Sequence, residues 1–195
     1  YQDGPRVTRE VLKGRIDIAY IVTTPMDKHG YFNLGLTCSY MRSVAEVAKT
    51  VVVVVREDMP WIYGGYDECI HISEVDYIVE DREFKTPTLP AQSPSKEDEM
   101  IAENIIEAGL IDDRSTIQLG IGGLPSSVMK LIKECRYKDL GIHTEMMNDG
   151  LMDLIDEGLV TNKYKKLDRN KTVFTFVLGT KKLYEYLDRN PTVAT

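Results

Sequence analysis

The sequence lacks the features that mark several large classes of protein. Its 195 residues include only three cysteines, Cys38, Cys69 and Cys135, widely separated and without paired ligand spacing. They fit no disulfide framework, and a reducing compartment is the economical expectation. The longest purely apolar run, Val51–Val55, is far too short to cross a bilayer. Positive charge is also in short supply, with 24 Lys and Arg against 31 Asp and Glu and a formal net charge of -7. Counterion release therefore does not favour a nucleic-acid partner, and the sign of the charge disfavours anionic membranes. The opening Tyr1-Gln2-Asp3-Gly4-Pro5 carries neither an initiator Met nor a signal-peptide pattern, and Asn190–Thr195 shows no evident closing element. The expectation is a portion of something larger or a processed chain, in the cytoplasm.

What is present is 43% hydrophobic, enough for one domain with a substantial core or for two small lobes. Ile16–Thr23 reads as a buried strand, Tyr40–Ala48 as a helix and Thr50–Val55 as the clearest strand. Five consecutive valines leave no wet face, so the expectation is a sheet interior covered on both sides. A helix followed by a buried strand is the rhythm of an α/β fold. Ile72, Val75, Tyr77 and Val79 alternate as core contributors, and Asp81–Lys96, with Pro87, Pro90 and Pro94, reads as a linker. Ser95 with Glu97 and Asp98 caps a helix through Ile106. Beyond it come strands at Ser115–Leu119, Ile142–Met146 and Thr172–Val177, with helices at Ser126–Glu134, Leu151–Glu157 and Gly179–Asn190. The domain boundary falls in the proline-bearing segment.

Two segments carry possible chemistry. The run Gln118-Leu119-Gly120-Ile121-Gly122-Gly123-Leu124-Pro125 lies between a predicted strand and a predicted helix. Glycines there let backbone approach a ligand, and a helix N-terminus favours an anion or developing oxyanion. It is neither a dinucleotide fingerprint, since Pro125 stands where the last glycine belongs, nor a P-loop. A tight strand–helix turn without a ligand is the alternative. The second segment, Gly141–Gly150, places His143 and Glu145 on one face of a strand, near its carboxyl end. Glu145 suits a nucleophile or general base, or else is a solvated strand-end residue; too few ligands gather there for a metal. Asp27, His29 and Gly30 form a turn that either builds a loop or borders a cleft. The basic run Lys163, Lys165, Lys166, Arg169 and Lys171 reads as a solvated connector or as an attractor for a phosphorylated ligand.

Together QLGIGGLP, GIHTEMMNDG and VFTFVLGTKKLYEYLDRNP resemble the acetyl-CoA hydrolase/transferase family, in the branch holding 4-hydroxybutyrate and butyryl-CoA:acetate CoA-transferases. PMDKHGYFNLG and HISEVDYIVE resemble it too, so the likeness runs from about Ile16 to the C-terminus. The resemblance implies an α/β CoA-transferase-like fold of two related lobes, only partly covered here. Residues 1–90 would end the N-terminal lobe, and 91–195 would begin the C-terminal lobe that carries the catalytic glutamate. It implies Glu145 as catalytic residue, and Gly120, Gly122, Gly123 and Pro125 as the motif holding the CoA thioester region. It implies no metal and no tightly bound cofactor. Acyl-CoA, acetyl-CoA among them, and a short-chain carboxylate would be the substrates, in a homodimer or higher homo-oligomer. A hydrolase of the same fold and a truncated, non-catalytic chain are the alternatives. Complete members have further sequence before the PMDKHGYFNLG segment and glycine-rich CoA-binding segments after the point matching Thr195.

Overall fold

The computed structural model describes residues 4–89 and 93–195. Tyr1–Asp3, Pro90 and the expected 90/91 boundary lie outside the described residues. The chain forms two compact units. One holds the residues up to Pro87 with Leu187–Asn190 and Thr195, the other Thr88–Tyr186 with Pro191–Ala194.

In the first unit, α1 (Gly4–Val11) packs against α2 (Met41–Val47). Strands β1 (Ile18–Thr23), β3 (Thr50–Val55) and β5 (Tyr77–Glu80) form a parallel sheet in the order β1-β3-β5, while β2 (Tyr31–Asn33) and β4 (Cys69–His71) pair antiparallel. The valine run is the central strand, in register Ile18↔Thr50 through Thr23↔Val55 with β1. One face of this sheet carries Ala19, Ile21 and Val51, against which Met41, Val44 and Ala45 of α2 and Ala48 pack. The other face departs from the expectation of cover on both sides. Tyr20 and Tyr77, register partners of Val52 from either side, are 69% and 64% exposed, and the buried Val52 lies between them. Ile72, in a 3-10 turn before β5, and Tyr77 and Val79 of β5 are likewise exposed rather than core residues; among the described residues β5 is an edge strand, paired only with β3. Val75 alone of the four packs against the core.

The second unit begins with α3 (Lys96–Glu107), where Ser95 and Asp98 make a reciprocal capping box. It continues through β6 (Thr116–Ile117), α4 (Gly123–Cys135), β7 (Gly141–Ile142), β8 (Met146–Met147), α5 (Asp149–Asp156), β9 (Thr172–Val173), β10 (Phe176–Val177), α6 (Lys181–Leu187) and β11 (Val193–Ala194). All ladders here are parallel: β6 with β7, β8 with β10 and β9 with β11. The two longer strands expected at Ile142–Met146 and Thr172–Val177 are each broken in two. At the break the amides of Thr175 and Phe176 both donate to the single carbonyl of Glu145, at 2.9 and 3.2 Å. Two residues facing one is the local logic of a bulge, which interrupts a ladder and re-aims a side chain. Among the described residues no helix is long and apolar enough to cross a membrane.

Candidate active site

Glu145 sits in that interruption, between β7 and β8, rather than at the end of a continuous strand. Its backbone is fixed by three donors on its carbonyl, the third being Thr175 Oγ1 at 2.9 Å. The alternation read from the sequence survives the break: His143 and Glu145 are exposed, with Thr144 buried between them. Met146 and Met147 are buried on the far side and anchor the segment in the core. Glu145 thus has a hydrogen-bonded backbone and an exposed carboxylate.

The glycine turn is tied to this segment by side chains that flank Glu145. Thr144 Oγ1 donates to Leu119 O at 3.1 Å, and Asn148 Nδ2 donates to Gly120 O at 3.1 Å. Asn148 also caps α5, its Oδ1 accepting from Leu151 N at 3.0 Å. The sequence reading missed both residues. An Asn directly before an acidic, apolar-periodic stretch is an N-cap signal that could have found Asn148.

The four motif residues play different parts. Gly120 has open space where a Cβ would stand. Gly122, with φ at 117° and ψ at -175°, is the N-cap of α4 and occupies backbone space that glycine alone enters freely. No side chain caps the helix from that position, and Ser126 Oγ donates back to Gly122 O at 2.8 Å. Gly123 is a glycine for packing: a Cβ there would collide with Asp98 Oδ2 and lie 3.0 Å from Pro94 Cα. Pro125 falls in the first turn of α4, where a missing N–H is harmless. Gly120 and Gly122 line a cavity of about 390 Å³ with Ile121, Met129, Asn148 and Leu178. Gly123, Pro125 and Glu145 are not among its lining residues.

Asp149, next to Asn148, receives the amide and hydroxyl of Thr180, the amide at 2.9 Å. Other sequence candidates resolve into structure. Asp27 Oδ1 accepts from His29 N and Tyr31 N at 2.9 and 2.8 Å, which builds the turn; chiefly the Tyr31 bond holds its carboxyl below the usual range. The basic run contains a buried member. Lys165 is 2% exposed, and its Nζ donates to Ile142 O at 2.8 Å and Lys171 O at 2.6 Å. Burial pushes its pKa down. This lysine is part of the frame beneath β7, so the run is not a uniformly solvated connector.

Known proteins resemble the chain along nearly all of its length. The model of the acetyl-CoA hydrolase/transferase N-terminal domain matches residues 5–90. The chain is 40% identical over 192 residues to butyryl-CoA:acetate CoA-transferase of Anaerostipes caccae, covering 98% of this chain and 42% of that protein. It is 43% identical over 182 residues to 4-hydroxybutyrate coenzyme A transferase of Clostridium kluyveri, covering 92% of this chain and 40% of that one. The crystal structure of RipA from Yersinia pestis superposes with a TM-score of 0.88 at 40% identity, covering 100% of this chain and 43% of RipA. The chain therefore spans well under half the length of these relatives, and its α/β architecture is that of the corresponding portion of RipA. Its first part thus matches the N-terminal domain of the acetyl-CoA hydrolase/transferase family, and nearly all of it is similar to proteins named as CoA-transferases.

Proposed function

We propose that the protein transfers coenzyme A from a short-chain acyl-CoA to a carboxylate acceptor, with Glu145 as the covalent carrier. In this reading the first unit ends one lobe, and the second begins the lobe that carries the nucleophile. The observation that carries it is an exposed carboxylate on an immobilised backbone, with its flanking residues hydrogen-bonded to a glycine turn at a helix N-terminus. The names of the relatives point to butyryl, 4-hydroxybutyryl and acetyl groups as the acyl class.

A Glu145 oxygen attacks the acyl-CoA carbonyl, and the C–S bond breaks to give a mixed anhydride and CoA thiolate. The thiolate attacks the glutamyl carbonyl, forming a Glu145–CoA thioester and releasing the first carboxylate. The incoming carboxylate attacks this thioester and expels the thiolate. The thiolate then takes the new acyl group and frees Glu145. Thioester energy is conserved only if water is kept from both intermediates. Each addition develops an oxyanion that amides of the Gly120–Gly122 turn are suited to receive, and one well-aimed donor is worth about 3 kcal/mol.

Conversion of butyryl-CoA tests the reading. The expected result is acetyl-CoA and butyrate formed only when acetate is added, with no product in Glu145→Gln. Glu145→Asp withdraws the carboxylate by one methylene, so it should lose about a hundredfold or more. Free CoA released from butyryl-CoA at the same rate with or without acetate identifies a hydrolase instead.

A further inference from the structure

The two side chains that tie the glycine turn to the nucleophile segment form a matched pair. Thr144, 4% exposed, precedes Glu145, and Asn148, 8% exposed, follows it by three residues. Their targets are consecutive carbonyls, Leu119 O and Gly120 O, each at 3.1 Å. Little else fixes this stretch. Among the described residues, no heavy atom beyond Leu119 and Ile121 lies within 4 Å of the Gly120 Cβ position, and the α4 N-terminus beyond it has no side-chain cap. Because a peptide unit is planar and trans, fixing the Leu119 and Gly120 carbonyls also fixes the directions of the Gly120 and Ile121 amides. Those amides belong to the cavity-lining part of the turn.

We infer that Thr144 and Asn148 are positioning residues that hold the Gly120–Ile121 amides in place relative to the Glu145 carboxylate, so that donor and nucleophile meet the same thioester carbonyl. The inference rests on Glu145 being the nucleophile. The competing account makes Asn148 only a helix cap and Thr144 only a buried hydroxyl that needs an acceptor. Thr144 has such an acceptor in Met146 O at 3.2 Å, without needing the turn.

Asn148→Ser separates the two accounts, because serine caps a helix about as well as asparagine but has no amide to reach Gly120 O. Thr144→Val keeps the shape and removes the hydroxyl, and Thr144→Ser restores it. Two readouts are needed. Hydrogen–deuterium exchange on the whole protein should rise over residues 119–122 in Asn148→Ser and Thr144→Val, with little change in melting temperature for Asn148→Ser. In transferase assays of the whole protein, kcat should fall at least about tenfold in both variants, with KM for acyl-CoA little changed, and Thr144→Ser should recover most of the loss. Unchanged exchange in both variants overturns the clamp. Raised exchange with kcat unchanged overturns its catalytic meaning, and so does a Thr144→Ser protein as slow as Thr144→Val. Turnover surviving in Glu145→Gln instead overturns the nucleophile assignment, and the exchange data report on the clamp either way.

Discussion

Lys165 shows at the scale of one residue how a charge pattern misleads. In the sequence it is one of five basic residues in a short run, and nothing in its spacing separates it from its neighbours. In the fold its stem crosses Gly141, where a Cβ would come within 2.6 Å of Lys165 Cγ, and its ammonium serves two carbonyls. Only the tertiary packing of β7 against the 162–172 loop creates that niche, so local pattern could not reveal it. Lys165→Met leaves the Ile142 and Lys171 carbonyls without their donor, and the expected cost is about 1–3 kcal/mol, read as a lower denaturant midpoint at constant m-value. The variant should also change the alkaline pH profile. Because burial lowers the Lys165 pKa below 10.5, the unfolded chain binds more protons than the folded one between the two values, and stability rises with pH across that window. Cys38 and Cys69, pushed up to about 11 by burial, pull the opposite way above 9. The difference between wild type and Lys165→Met isolates the lysine: its rising component should vanish, and an unaltered profile contradicts the assignment.

At the scale of elements, the legible parts were those with strong local physics. Thr50–Val55 is the strand expected, to the residue, and Ser95 with Asp98 caps the helix it was expected to cap. The ladders of the second unit were less legible, since strands of two residues leave no periodicity to detect. The break at Glu145 depends on Thr175 and Phe176, thirty residues away in sequence. The glycine turn yields a paired prediction. Gly122→Ala forces a Cβ into a region at φ 117° that only glycine populates freely, at about 1–3 kcal/mol of stability. Gly120→Ala meets no neighbour, so its stability should stay within about 0.5 kcal/mol of wild type. The transferase rate of the whole protein should nonetheless fall, because Gly120 lines the cavity. Thermal melts and initial rates on the same two proteins check both halves, and a fully active Gly120→Ala would remove the turn from the site. Ser95→Ala, by contrast, should cost about 1 kcal/mol through the lost cap.

For the whole molecule, motifs reached further than composition. Net charge and cysteine usage bounded the partners without selecting one, whereas several separated segments in the right order were enough to indicate family and architecture. What they could not convey was division of labour inside a motif. Gly120 leaves space, Gly122 turns the chain and Gly123 admits Asp98, three physical reasons for one letter. Nor could they show that Thr144 and Asn148 bind the two motifs to each other. The central claim is that Glu145 carries CoA covalently, and trapping that intermediate tests it most directly. Whole protein is incubated with butyryl-CoA in the absence of an acceptor, reduced with borohydride, digested and mapped by mass. The account predicts a single modified residue, with the side-chain alcohol in place of the carboxylate at Glu145 and no such product in Glu145→Gln. Reduction at a different carboxylate, or an unmodified Glu145 in protein that turns over when acetate is added, would contradict it.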